Sequence, residues 1–271
     1  MMFKTLFLDV CLLLAVPLAA HAAPPPTAFL EELTWTELRD QVQSGKTTII
    51  VPLGATEQNG PHMALGKHNA RVKALSEKIA LALGDALVAP VIAYVPEGGV
   101  NPPAAHMRFP GTITIPDETF GKVLEYAARS FKLHGFRSIV FLWDHGGYRN
   151  AVVSVADRLN REWAAGSVRV HAVEEYYTAT STAYVQALKR RGYRDEEIGT
   201  HAGLADTSLT LAVAPDLVRA EGLRSGARFA IADGVHGDPR RASAELGQLG
   251  VDTIVSRTVE TIRKAVTAAR R

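Results

Sequence analysis

The chain is predicted to fold as a single α/β domain, a mainly parallel sheet flanked by helices. Two observations carry that expectation. Short apolar runs at residues 48–53, 86–92, 138–142 and 168–173 alternate with longer stretches whose apolar residues recur at helical spacing. No internal repeat and no break in composition divides the part that carries these runs.

The elements follow in order. Met1 to Lys4 is a short basic start, residues 5–18 are largely apolar, and Ala20-His21-Ala22 fits the small-x-small pattern of signal-peptidase cleavage. Residues 1–22 therefore read as a signal peptide, although Asp9 interrupts the apolar run. That run is shorter than the roughly 20 residues a spanning helix needs. Residues 23–46 form a spacer, stiffened by Pro24 to Pro26, and a first helix; residues 47–271 form the domain proper. Residues 48–53 make a buried strand ending at Gly54, and 72–83 carry a helical apolar period. A second strand is expected at 86–92, a helix at 117–133, a third strand at 138–142, a helix from about Asn150 to Trp163, and a strand at 168–173.

Composition narrows the chemistry. The sole cysteine, Cys11, lies in the cleaved segment, so the mature chain has no disulfide, thiolate ligand or cysteine nucleophile. Lys and Arg total 30 against 28 Asp and Glu, so no net field selects nucleic acid or an anionic membrane. The expected setting is the periplasm or the medium, with a small-molecule substrate and no membrane attachment after signal removal.

Ligands of open α/β sheets sit beyond the carboxyl ends of the strands. Two segments leave a strand and at once become dense in polar groups: Gly54 to His68, and Asp144 to Asn150. The first holds Glu57, Asn59, His62 and His68; the second holds His145 beside Gly146 and Gly147. Further on, Thr200-His201-Ala202-Gly203-Leu204-Ala205-Asp206 runs into an apolar helix, and His106 stands beside the Phe109-Pro110-Gly111 turn. With no thiolate present, a divalent metal would draw on imidazole and carboxylate. Glu57, His68, His145 and Asp206 are the natural ligand set, with Glu57 or Asp206 orienting water and His201 passing a proton to a departing nitrogen. Asn59, His62, His106, Gly146 and Gly147 are the candidate pocket lining.

In the same segments the chain resembles the creatininase (creatinine amidohydrolase) family. TEQNGPH, FPGT, DHGG, HAGLADTS and the late GVHGDPRRASAELG occur in the family's order, from about Val51 to Gly247. The resemblance implies a creatininase-like fold, commonly a homo-hexamer, and metal-dependent hydrolysis of cyclic amides or formamides. It makes Glu57 and His145 metal ligands and His201 the proton-transfer residue. Three positions depart from the family pattern: Asn59 stands where histidine is usual, His68 where a bridging aspartate is usual, and Asp206 where glutamate precedes Thr-Ser. A carboxylate bridges two cations, whereas neutral imidazole offers one lone pair, so one metal per subunit is expected. Zinc leads, with manganese or iron as alternatives.

Plainer readings stand beside these. Asp206 can be a helix N-cap, His62 a loop-holding hydrogen bonder, and His106 a packing residue behind its turn. His134, His171 and His236 read as structural or surface residues, and Trp143 as core. Gly146-Gly147 lacks the lysine and serine of a P-loop, and no G-x-S-x-G elbow supports a serine hydrolase. Two rival functions remain: an exported relative that binds a small ligand or metal without catalysis, and a non-haem iron enzyme using two histidines and a carboxylate.

Overall fold

The computed structural model describes residues 27–224 and 229–269. The expected signal peptide, residues 1–22, lies outside them. No helix among the described residues is long and apolar enough to cross a membrane.

Among the described residues, four strands build one wholly parallel sheet: β1 (Thr48–Leu53), β2 (Ala86–Val88), β3 (Ser138–Trp143) and β4 (Arg169–Ala172), in the order β2-β1-β3-β4. Ile49 pairs with Ile139 and Leu87, and Phe141 pairs with Ala172, so β1 and β3 form the centre. Every residue of these two strands is buried, which explains why they read as continuous apolar runs instead of alternating ones. Strand β2 is shorter than the apolar run suggests. Pro90 has no N–H to donate, and beyond Val88 only a single bridge, Leu53 to Ile92, continues the pairing.

The helices cover both faces. They are α1 (Trp35–Gln43), α2 (Lys67–Leu83), α3 (Asp117–Leu133), α4 (Arg149–Glu162), α5 (Glu175–Ala179), α6 (Val185–Lys189), α7 (Asp195–Ile198), α8 (Leu204–Val213), α9 (Ala220–Arg224) and α10 (Ala244–Ala269). Ile50, Val140 and Leu142 pack with Val72, Leu75 and Ile79 of α2, Leu209 of α8 and Ile254 of α10. On the other face, Ile49, Val51, Phe141 and Trp143 meet Phe120 and Leu124 of α3 and Val152 and Leu159 of α4. Each such side chain contributes about 1.5–3 kcal/mol on burial.

The segment before the sheet belongs to this core. Thr34 and Glu37 form a reciprocal capping box at the start of α1. Leu38 and Val42 of that helix pack on the α3/α4 side, and Phe29 bridges to Val88.

Helix α2 begins five residues before its apolar period does. Its first turns carry Lys67, His68 and Arg71, which are buried but polar, so their inward face is invisible to a hydrophobic count. Helices α8 and α10 approach until a Cβ at Gly247 would stand 1.9 Å from the Ser208 carbonyl oxygen. That contact fixes α8, and with it Asp206, against the rest of the layer.

Candidate metal centre

The site lies at the carboxyl ends of β1 and β3. Beyond β1, the chain turns through Gly54, where a Cβ would collide with the Asn69 side chain at 2.0 Å, and Ala55 N–H donates to Asn69 Oδ1 at 3.1 Å. The Tyr148 hydroxyl holds the same end, donating to the Gly54 carbonyl at 2.6 Å. Asn59 closes the loop, its amide donating to the carbonyls of Glu57 at 2.8 Å and Ala64 at 3.2 Å. Glu57 is thereby carried, fully buried, over the carboxyl end of the sheet.

Four side chains converge there. Among the described residues, Glu57, Glu97, His106 and His145 bring one potential ligand atom each to within 4.8 Å of one another. His106 Nε2 and His145 Nε2 stand 3.3 and 3.5 Å from Glu57 Oε2, and His145 Nδ1 is 3.3 Å from Glu97 Oε1. None of these approaches makes a hydrogen bond: Glu57 Oε2 and both Glu97 oxygens are buried without a hydrogen-bond partner. Buried carboxylate oxygens are ordinarily satisfied, so this donor set fits a divalent cation between two carboxylates and two imidazoles.

Electrostatics agree with that reading. Burial, together with the charge of Glu57, pushes Glu97 up to about 9. Burial would also raise Glu57, but its ion pair and hydrogen bond with His68 and the charge of Lys67 hold it well below the usual carboxylate range. Burial lowers His145 to about 4 and lowers His106 as well, so both rings are neutral and keep a lone pair for a metal.

The remaining predicted ligands are engaged elsewhere. His68 lies between two carboxylates, Nε2 at 2.6 Å from Glu57 Oε1 and Nδ1 at 2.5 Å from Asp144 Oδ2. Both ring nitrogens are committed, and His68 orients Glu57 from behind instead of joining the four-residue cluster. Asp206 also stands apart from it. Lys67 Nζ donates to its Oδ2 at 2.7 Å, Arg71 Nη1 to its Oδ1 at 2.7 Å, and Ala202 N–H to Oδ2 at 2.9 Å. These contacts leave it neither a free ligand nor a base; despite its burial, the Lys67 and Arg71 charges hold it well below the usual range. It does not cap α8 either, since Gly203 occupies that position. Arg71 turns to Asp144 as well, with Nη2 2.7 Å from Oδ2, and the Tyr176 hydroxyl donates to Oδ1 at 2.9 Å.

His201 arrives from the chain before α8. Thr200 N–H donates to the His236 carbonyl at 2.8 Å, and His236 N–H returns to the His201 carbonyl at 2.8 Å. Gly199 makes this possible, with a φ of +68° and no room for a Cβ, which would lie 2.0 Å from the His236 carbonyl oxygen. His236 thus serves the site through its backbone. His201 Nε2 lies 3.0 Å from the Gln58 carbonyl oxygen, which can only accept, so that nitrogen carries the proton. Nδ1 is left as acceptor, 3.8 Å from Glu57 Oε1, and burial lowers the ring to about 3.

The centre opens into a cavity of about 510 Å³ lined by His106, His145, Gly146, Tyr177, His201 and Lys67, among others. Gly146 lets the Tyr177 ring lie close against the backbone, since a Cβ there would stand 2.5 Å from the tyrosine hydroxyl. Gly147 lies beyond His145, in a second cavity shared with Glu97 and His106. Asn59 and His62 do not line the substrate cavity: His62 is fully buried, with Nε2 3.0 Å from Thr207 Oγ1. Glu97, Lys67, Arg71 and Tyr177 were not legible as site residues from spacing alone. For Glu97, the available signal was a carboxylate before a Gly-Gly pair in the loop that follows β2.

Comparison with known proteins converges on one group. The family model described as creatininase, creatinine amidohydrolase, matches residues 31–262. A creatinine amidohydrolase from Pseudomonas putida is 29% identical over 262 residues, covering 88% of this chain and 97% of that one. A mycofactocin precursor peptide peptidase from Mycolicibacterium smegmatis is 28% identical, over 79% of this chain and 83% of the relative. A crystal structure of creatinine amidohydrolase superposes with a TM-score of 0.74 at 27% identity, covering 89% of this chain and 98% of that one. Related solved structures are described as creatininase with Mn and as a creatininase variant of the Zn–Zn type.

Proposed function

Since the chain belongs to the creatininase family, we propose that it is a metal-dependent hydrolase of the C–N bond of a small amide, with one divalent ion per subunit. The observation that carries this is the convergence of two buried carboxylates and two neutral imidazoles, with three carboxylate oxygens that accept no N–H hydrogen bond.

Glu57, Glu97, His106 and His145 would hold the ion. Bound there, a divalent metal supplies Lewis acidity, polarising a carbonyl oxygen and making water a better nucleophile at neutral pH. A single ion is favoured because the other buried acids nearby are already neutralised, Asp144 by Arg71 and Asp206 by Lys67 and Arg71. Zinc and manganese both suit this nitrogen and oxygen donor set.

The protein's own groups perform the proton transfer. His201 is neutral and presents Nδ1 towards Glu57, so it takes a proton from water and returns it to the leaving nitrogen. Gln58 touches both rings, its backbone carbonyl accepting from His201 Nε2 at 3.0 Å and its side-chain amide nitrogen lying 3.1 Å from His106 Nδ1. The cavity admits a small substrate or the end of a peptide.

Replacing His201 by alanine is expected to lower kcat on a hydrolysed amide by about 10²–10⁴-fold, the usual contribution of a positioned acid–base group. Metal content should stay the same. Unaltered turnover in that variant would contradict the assigned role and favour a ligand-binding function.

A further inference from the structure

We propose that Lys67 is a further catalytic residue, donating a hydrogen bond to the substrate carbonyl oxygen as it becomes an oxyanion. The inference rests on the hydrolase reading above.

The position of Lys67 is unfavourable for folding. It opens α2, where the helix dipole disfavours a cation, and no acidic residue shares that first turn. Its side chain is fully buried, which is costly for an ammonium. Pairing with Asp206 does not account for it, because Asp206 already accepts from Arg71 and from the Ala202 N–H. Ala202 itself sits in the left-handed region, with a φ of +55°, so this corner is held against local preference on two counts.

What the arrangement provides is a fixed cation with donors to spare. The bond to Asp206 uses one of three ammonium hydrogens, and the side chain lines the cavity beside His106, His145 and His201. Its charge bears on Glu57, Glu97, His106, His145 and His201. Arg71 differs, with its Nε, Nη1 and Nη2 all directed at Asp144 and Asp206.

In the step served, water oxygen bonds to the carbonyl carbon and the carbonyl π pair moves onto oxygen, where Lys67 donates to it. The water proton passes to His201. The pair then returns, the C–N bond breaks, and the nitrogen leaves with the proton from His201. Acid and amine are the products, and Lys67 takes no part in the proton transfer.

Methylphosphonate, a tetrahedral anion, is the probe, and acetamide is its planar neutral control. Binding of each to metal-loaded wild type and Lys67→Gln is measured by calorimetry, alongside metal content. The expected result is unchanged metal and acetamide binding, with methylphosphonate weakened by about 10–100-fold, the range for a lost charge-assisted hydrogen bond. Asp206→Asn gives a second reading that does not depend on the folding of the glutamine variant. It removes a competing anion, so methylphosphonate should bind more tightly. Wild-type affinity in Lys67→Gln, an equal loss of both ligands or of metal, or unchanged or weaker binding in Asp206→Asn would overturn the assignment. A wild type that takes up no metal would instead remove the hydrolase reading on which the assignment rests.

Discussion

Glu97→Gln is expected to lose the metal and yet to be more stable than wild type when both are metal-free. Partners that merely orient a ligand change metal affinity by 10–100-fold, so removing a ligand should weaken it by at least about 100-fold. The stability gain has a separate origin. Glu97 is pushed up to about 9 by burial and by Glu57, so the folded, metal-free protein holds a proton there that the unfolded chain releases above about 4.5. Stability of the metal-free wild type should therefore fall as pH rises from about 4.5 towards 9. Glutamine removes the titrating group and flattens that slope. Thermal melts across this range, with and without added zinc or manganese, check both halves. A variant that still gains stability from metal as wild type does would show that Glu97 is not a ligand.

Arg71→Met should give the largest loss of stability among the site variants. Arg71 is buried and pairs with Asp144 and Asp206 together. Removing one member of a buried ionic cluster leaves uncompensated charge and costs about 3–5 kcal/mol. In a domain of this size that lowers Tm by roughly 10 °C. The pH dependence follows from the partners. Asp144 and Asp206 are both lowered, each despite burial, chiefly by Arg71 in the first case and by Lys67 with Arg71 in the second. Their stabilisation is present above the ordinary carboxylate value near 4 and is lost as pH falls below it. Arg71→Met should flatten this acid limb. A melt unchanged from wild type at pH 7 would mean that the cluster is not balanced by Arg71.

These two residues mark where sequence reading stops. The parallel α/β fold was legible because β1 and β3 are buried on both faces and their helices have clear apolar faces. Glu57, His145 and His201 were legible because each lies in a dense polar segment next to a strand or helix end. Glu97 was not, since the nearest histidine of its loop, His106, stands nine residues on and its role depends on β2 lying beside β1. His68 and Asp206 were placed in the right region, but their partners could not be foreseen. Asp144 and Arg71 reach them from distant segments, and a carboxylate beside two cations becomes a counter-ion instead of a ligand. The polar first turns of α2 concealed Lys67 and Arg71 for the same reason that they shortened the predicted helix.

The central claim is a single divalent metal bound by Glu57, Glu97, His106 and His145. It is tested most directly by elemental analysis of the protein, purified without chelator or affinity nickel. One equivalent of zinc, manganese or iron per subunit, lost in Glu57→Ala and in Glu97→Gln, is the predicted result. No bound metal, with no thermal stabilisation on adding any of the three ions, would contradict it.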